Sequence, residues 1–214
     1  MMQVKICGIM TPEALTAAIE AGADFVGFVF VPDSRHYLDP DSAAYLAHYV
    51  PKTVKRVGLF QNAAPDDVLN TARTAQMDMI QLHGDEPPEE IAAIRAASGL
   101  PVIKVISMRR PDDLARIPAY EAVADWLLFD AAKGGSGKRF EWSLLQGYLQ
   151  HRTLGKPWML AGGLTPDNVA EALAAFTPDA LDVSSGVESE KTVKDPAKIR
   201  AFIGAARRPT PPAA

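Results

Sequence analysis

Short apolar runs alternate with amphipathic stretches along the chain. There are eight such runs, and the second, Phe25–Phe30, is continuously apolar rather than alternating, as expected of a parallel strand buried on both faces. The pattern therefore predicts eight strands, at intervals of about 25 residues. These strands are Val4–Ile9, Phe25–Phe30, Val54–Phe60, Met79–Leu82, Val102–Ser107, Trp126–Phe129, Trp158–Ala161 and Ala180–Val183.

An amphipathic stretch follows each run, and several open with helix-starting residues. Thr11-Pro12-Glu13 and Thr165-Pro166-Asp167 each offer a capping threonine with proline at the first helical position. We expect Gly22 to end the first helix. The other helices are predicted near Ala43–Tyr49, from Pro65, and over Pro87–Ala97, Pro111–Val123, Trp142–Gln150 and Pro196–Ala206.

Strict alternation of strand and helix implies parallel strands joined by right-handed crossovers. Eight such units predict an α/β fold, a single-domain (β/α)8 TIM barrel over residues 1–206, which is small for that architecture. An open doubly wound sheet is the competing fold, but the first turn, Cys7-Gly8-Ile9, lacks the three-glycine dinucleotide fingerprint. The proline-rich residues 207–214 are predicted to form a flexible tail.

Composition narrows the classes of function. The chain of 214 residues has 22 basic and 26 acidic residues and a formal charge of −4, so no nucleic-acid partner is expected. Its one cysteine, Cys7, excludes an internal disulfide. With no membrane-length apolar segment and no signal-peptide pattern at the N-terminus, we expect a cytoplasmic protein without a membrane partner.

The active site of such a barrel lies at the carboxyl ends of its strands. Three glycine-containing segments there resemble phosphate cradles, because glycine lets successive backbone N–H groups approach an anion closely. Alternatively, these glycines only make tight turns. The segments are Gly134–Gly137, with Gly135 and Ser136 at its centre, Ala161–Leu164, with Gly162 and Gly163, and Ser184–Val187, with Ser185 and Gly186.

Cys7 and Asp130 are the acid–base candidates. Cys7 ends the first strand, and Lys5 shares its strand face and would help to lower the pKa of a thiolate base. Asp130 follows a strongly apolar run, where a carboxyl with a raised pKa can act as an acid. A buried apolar cysteine and a capping aspartate are the plainer interpretations. Asp182 is placed to accept a hydrogen bond from a substrate amine or hydroxyl.

Histidines in this sequence do not have the spacing of a metal site. His36 and His83 stand far apart, and no cysteine or histidine pair accompanies either of them, so no metal is expected. We interpret His83, in Gln81-Leu82-His83-Gly84, as a residue that lines the site.

Taken together, the motifs resemble the phosphoribosylanthranilate isomerase family of tryptophan biosynthesis. The resemblance runs in order from residue 4 to residue 188, and the motifs are specific as a set. They are Val4–Ile9, Gly27–Phe30, Gln81–Gly84, Leu128–Asp130, Gly134–Lys138, Leu160–Leu164 and Asp182–Glu188.

This resemblance implies a TIM barrel that performs an Amadori rearrangement without a cofactor. N-(5-phospho-β-D-ribosyl)anthranilate would become 1-(2-carboxyphenylamino)-1-deoxy-D-ribulose 5-phosphate. Asp130 would protonate the furanose ring oxygen, Cys7 would remove the proton from C2, and Asp182 would hold the anthranilate amino group. The implied phosphate ligands are backbone groups of Gly135, Ser136, Gly162, Gly163, Ser185 and Gly186.

One segment departs from the family pattern. The family usually has serine, any residue, then an arginine that pairs with the anthranilate carboxylate. Here Ser34-Arg35-His36 places a histidine where a gapless alignment expects the arginine. We expect Arg35 to make the contact, with His36 as the alternative.

Two other interpretations remain at this stage. One is a different phosphate-binding barrel, either the histidine-pathway sugar isomerase, which uses an aspartate where this chain has Cys7, or an indole-glycerol-phosphate synthase, whose lysine and glutamate array is not found here. The other is a non-catalytic barrel that senses a phosphorylated metabolite, against which the presence of both Cys7 and Asp130 counts. The sequence is compatible with a monomer or a homodimer.

Overall fold

Eight parallel strands form a closed barrel, which confirms the predicted TIM barrel. The computed structural model describes residues 1–108, 111–131 and 142–208. Each strand pairs with the next, and the last pairs with the first, Lys5 lying opposite Asp182. The strands are β1 Gln3–Cys7, β2 Phe25–Val29, β3 Lys55–Phe60, β4 Met79–Leu82, β5 Val102–Met108, β6 Trp126–Ala131, β7 Trp158–Leu160 and β8 Ala180–Val183.

Helices surround the barrel in the predicted order. Thr11 and Asp39 cap the first two through their side-chain oxygens, and Asp195 caps the last. The helices are α1 Pro12–Glu20, α2 Pro40–Ala47, α3 Pro65–Thr74, α4 Pro88–Ser98, α5 Ile117–Val123, α6 Trp142–Gln150, α7 Val169–Ala175 and α8 Pro196–Ala206. None of the helices among the described residues is long and apolar enough to cross a membrane.

Several boundaries differ from the sequence prediction, and three of the differences have a clear local cause. β1 ends at Cys7, because Gly8 has φ +77 and turns the chain away from the sheet. The predicted helix over Pro111–Val123 is split, with a 3-10 turn up to Arg116 before α5. Helix α7 begins at Val169, because Thr165 and Asn168 form a separate turn closed by reciprocal side-chain hydrogen bonds.

The core has two layers. One lies between the strands and the helices, and the other fills the barrel with side chains of alternate strand positions, including Phe25, Val57, Met79, Ile103 and Leu128. This alternation directs the odd-numbered side chains of β1 and the even-numbered ones of β6 and β8 inward. Near the carboxyl ends, the inward side chains of Cys7, Asp130 and Asp182 form the site described below, with Val29 and Leu59 packed beside Cys7.

A small antiparallel hairpin, which the sequence pattern did not predict, follows β8. After a 3-10 turn at Ser185–Val187, β9 Glu188–Glu190 pairs with β10 Val193–Lys194. The predicted tail begins at Arg207, whose guanidinium donates to Gly22 O at 2.6 Å and to Asp24 at 2.8 Å. Residues 209–214 lie outside the described residues, so a flexible tail remains a prediction there.

Candidate functional site

A buried ion pair lies beside the only cysteine, inside the barrel. Lys5 is fully buried, and its Nζ donates to Asp182 Oδ1 at 2.9 Å across the β1–β8 pairing. Cys7 is also buried and lies one inward position further along β1. Lys5 and Cys7 therefore share a face as predicted, and Asp182 completes the group.

Gly27 on β2 leaves room for this group. A Cβ at position 27 would lie 3.0 Å from Cys7 Sγ and 3.2 Å from Lys5 Nζ, closer than almost all real contacts of such an atom. The same geometry shows that the thiol and the ammonium group meet in front of Gly27. Any larger residue at position 27 would push them apart.

The ionisation of this group is set by burial and charge together. Burial raises the pKa of the Cys7 thiol, and the nearby positive charge of Lys5 opposes that rise without cancelling it. For Lys5, burial lowers the pKa, but the charges of Asp182 and Cys7 outweigh it and leave the pKa raised. The expected effect of Lys5 on the thiol is therefore present, although the net shift of the Cys7 pKa is upward.

Asp130 lies near the carboxyl end of β6, and its side chain faces the inside of the barrel. Two strands, β7 and β8, separate β6 from β1. Its Oδ2 is 3.3 Å from His83 Nε2, and the two side chains are 26% and 28% exposed. The carboxyl therefore faces an imidazole and the open end of the barrel rather than a closed apolar pocket. The structure therefore places His83 beside Asp130, and its role as a residue that lines a substrate site stays a prediction.

The turn that carries His83 is fixed by a second buried ion pair. Lys104, on the outer face of β5, is fully buried and donates to Glu86 Oε2 at 2.5 Å and to Gly84 O at 2.7 Å. Glu86 in turn accepts from the backbone N–H groups of Asn62 and Gly84. Nearby, Gln81 is buried, and its Oε1 has no hydrogen-bond partner among the described residues.

A charged group that we call the Glu188 cluster lies beyond β8. It consists of Glu188 with His36, Lys194 and Arg35. Glu188 Oε1 is 2.7 Å from His36 Nε2 and 3.0 Å from Lys194 Nζ, while Oε2 is 3.5 Å from an Arg35 guanidinium nitrogen. Lys194 also donates to Ser184 O at 3.0 Å.

Hydrogen bonding dominates the electrostatics of this cluster. Burial raises the pKa of Glu188, but hydrogen bonds from Lys194 and His36 prevail and lower it to about 2. Burial lowers the pKa of His36, so the imidazole is neutral near pH 7. Glu188 belongs to a sequence motif, but the motif predicts no role for it. Lys194 could not be found from the sequence, because its position depends on a hairpin that the sequence pattern did not predict.

The two candidates for a carboxylate contact have different surroundings. His36 is buried, its ring packs over Gly8, where an added Cβ would come within 3.1 Å, and its Nε2 is occupied by Glu188. The side chain of Arg35 is 37% exposed, and its contact with Glu188 is long. Arg35 is therefore the residue that remains accessible to an anion.

Two of the three glycine segments meet at the ends of β7 and β8. Gly162 and Gly163 have φ +91 and +65, which favour glycine. Gly186 approaches the first segment so closely that a Cβ there would lie 1.8 Å from Leu164 O. Ser185 is exposed beside it. Gly135 and Ser136, predicted to belong to the same cradle, lie outside the described residues.

The geometry thus combines a buried thiol on β1, a carboxyl on β6 and two adjoining glycine turns at the ends of β7 and β8. An acid and a base on different strands can act on two atoms of one small molecule. Glycine turns beside them suit a phosphate group, and an accessible guanidinium suits a carboxylate.

Comparison with known proteins identifies relatives over nearly the whole chain. The family model described as N-(5'phosphoribosyl)anthranilate (PRA) isomerase matches residues 4–205. A relative of that name from Paramagnetospirillum magneticum is 51% identical over 215 residues, covering 96% of this chain and 97% of the relative.

Solved structures agree with this match. Phosphoribosyl anthranilate isomerase from Thermotoga maritima superposes with a TM-score of 0.88 at 38% identity, covering 97% and 99% of the two chains. A further structure of a phosphoribosyl anthranilate isomerase, in complex with reduced 1-(o-carboxyphenylamino)-1-deoxyribulose 5-phosphate, has a TM-score of 0.85 at 38% identity and the same coverage.

Proposed function

Because this chain belongs to the N-(5'-phosphoribosyl)anthranilate isomerase family and carries out that isomerisation in tryptophan biosynthesis, we propose that Asp130 is its general acid and Cys7 its general base. The observation that supports this assignment is their arrangement. Both side chains face inward at the carboxyl ends of β1 and β6, on either side of the same opening. Membership of this family sets aside the histidine-pathway barrel and the non-catalytic metabolite sensor.

Asp130 begins the reaction by giving its proton to the furanose ring oxygen. The bond from C1 to that oxygen breaks, and the lone pair of the anthranilate nitrogen forms the C1–N double bond of a protonated Schiff base. His83, 3.3 Å from Asp130 Oδ2, fixes the direction of the carboxyl. An imidazole that donates to the resulting carboxylate also stabilises it after the proton has left.

Cys7, as a thiolate, then removes the proton from C2. The electron pair of the C–H bond moves toward the Schiff base and gives an enolamine, which becomes the ketone when C1 is protonated and the C2 hydroxyl loses its proton. The reaction neither consumes nor releases electrons overall. Lys5 supplies the positive charge that a thiolate needs in this buried place, since burial raises the pKa of the thiol and the charge of Lys5 opposes that rise.

Asp182 holds the amino end of the reacting centre. One oxygen accepts from Lys5 at 2.9 Å, which leaves the other oxygen for the substrate N–H. The phosphate lies at the other end of the ligand. Backbone groups of Gly162, Gly163, Ser185 and Gly186, together with Gly135 and Ser136, bind it, and Arg35 pairs with the anthranilate carboxylate.

The test is isomerase activity on freshly generated substrate, followed by its fluorescence, for wild type, Cys7→Ala and Asp130→Asn. We expect both variants to lose at least about 100-fold in kcat, while still binding the reduced product analogue. If either variant retains wild-type kcat, that residue is not the acid or base.

We also propose that the enzyme acts in the cytoplasm, where the free thiol of Cys7 stays reduced.

A further inference from the structure

We propose that Glu188 is a positioning residue that aims Arg35 at the substrate carboxylate and so makes the enzyme selective for carboxylated aryl amines. This inference rests on the proposed contact between Arg35 and that carboxylate. It concerns a residue with no part in the acid–base chemistry, located on the hairpin that follows β8.

The contacts of Glu188 join its own hairpin to the loop after β2. His36, from the loop after β2, and Lys194, from β10, both bind Oε1, at 2.7 and 3.0 Å. Thr192 N donates to Oε2 at 3.1 Å, so the carboxylate is held from its own hairpin as well. With only 9% of Glu188 exposed, this carboxylate is a rigid point to which the Arg35 loop is attached.

That attachment decides where Arg35 can reach. His36 is the next residue, and its ring is fixed both by Glu188 and by packing over Gly8. The backbone of Arg35 therefore has little freedom, although its side chain is 37% exposed. One guanidinium nitrogen lies 3.5 Å from Glu188 Oε2, which restrains the planar group and leaves its other N–H donors for a ligand.

The charges of the cluster also favour an incoming anion. Glu188 contributes one negative charge, Lys194 and Arg35 contribute two positive charges, and His36 is neutral, so one positive charge is unbalanced. A substrate carboxylate supplies the missing negative charge. Without Glu188, two cations would face each other and Arg35 would turn toward solvent.

The cluster further connects the two ends of the substrate site. Lys194 Nζ donates to Ser184 O and Oγ at 3.0 and 3.2 Å, and Ser184 directly precedes Ser185 and Gly186 of the proposed phosphate site. Glu188, through Lys194 and His36, therefore fixes the distance between the carboxylate contact and the phosphate contact. A ligand that carries both groups benefits from that spacing.

Binding of two ligands distinguishes this positioning role from a general disruption of the site. One is the reduced product analogue, and the other is the same molecule made from aniline, which lacks the carboxylate. We expect Arg35→Met to weaken the first ligand by about 10- to 100-fold, as for loss of a charge-assisted hydrogen bond. The affinity for the aniline ligand should change by less than about twofold.

Glu188→Gln should show the same selectivity to a smaller extent, weakening the carboxylated ligand by about 5- to 20-fold. Added to Arg35→Met, it should cause almost no further loss, because both act on one contact. Glu188→Asp should restore part of the selectivity. Since Glu188→Gln leaves Lys194 buried without a counter-charge, Glu188→Gln with Lys194→Met is measured beside it as a charge-balanced variant.

Asp78→Asn is the matched control. Asp78 binds Arg56 through both oxygens at 2.7 Å, just before β4 and at the opposite end of the barrel. Asp78→Asn removes this ion pair but leaves the site unchanged, so both ligands should bind as in wild type.

Two results would overturn the proposal, and they differ from each other. If Arg35→Met shows selective loss but Glu188→Gln and the charge-balanced variant weaken both ligands equally, or neither, Glu188 has no positioning role and the Arg35 contact stands. If Arg35→Met itself shows no selectivity, the carboxylate contact is wrong and the role of Glu188 is refuted with it.

Discussion

Gly186→Ala offers a direct test of how the two glycine turns are joined. The added Cβ would lie 1.8 Å from Leu164 O and 2.9 Å from Leu164 C, whereas real Cβ atoms essentially never approach a neighbour within 3.0 Å. Both neighbours are backbone atoms, so no side chain can rotate away. The turns after β7 and β8 must therefore separate by more than 1 Å.

The expected size of the effect follows from that displacement. Overpacking of this kind costs about 1–3 kcal/mol in folding free energy. A displacement of about 1 Å among ligand-binding groups costs up to about 100-fold in a reaction that depends on their position. We therefore expect Gly186→Ala to raise KM by about 10- to 100-fold, with a parallel loss of affinity for inorganic phosphate.

Steady-state kinetics and phosphate competition measure this effect, with thermal unfolding recorded in parallel. Gly99→Ala is the matched control for stability, because Gly99 has φ +67 at the end of α4, far from the site, with open space around it. It should cost about 1 kcal/mol through backbone strain and leave KM unchanged. The reasoning is refuted if Gly186→Ala keeps wild-type KM, or if Gly99→Ala raises KM as much.

Three further predictions concern buried charges. Below pH 4.5 the unfolded chain takes up a proton that folded Glu188 resists down to about pH 2. Folding stability should therefore fall across that interval by about 3 kcal/mol more in wild type than in Glu188→Gln, as measured by urea unfolding at each pH. Lys104→Met should cost about 3–5 kcal/mol because Glu86 remains buried and unpaired, and adding Glu86→Gln should recover part of that loss in the same unfolding assay; no recovery would contradict the pairing. The rate at which iodoacetamide alkylates Cys7 should increase with pH and still be increasing above pH 9, and at each pH it should be lower in Lys5→Met than in wild type. A fast reaction at pH 7 would contradict the raised thiol pKa.

Strand positions and the barrel could be predicted from the sequence because the determining signal is local. A run such as Phe25–Val29 is apolar at every position, and a run this short is typical of a strand covered on both faces. The helix start at Thr165 was wrong for a local reason as well. Asn168 binds back to Thr165 and closes a turn of its own, and asparagine competes with the helix in this way through its side chain.

Pairing between distant charges was the part that local patterns did not reveal. Lys5 and Asp182 are 177 residues apart, and their 2.9 Å contact follows only from closing β8 onto β1. Once the barrel closes, the register places Lys5 opposite Asp182, so the closure itself predicts this pair. Glu188 and His36 are 152 residues apart and lie on a hairpin and a loop, neither of which the sheet register constrains. Barrel topology therefore explains the group around Cys7, whereas the Glu188 cluster depends on how the segment after β8 folds back, which is why its role has to be tested by substitution.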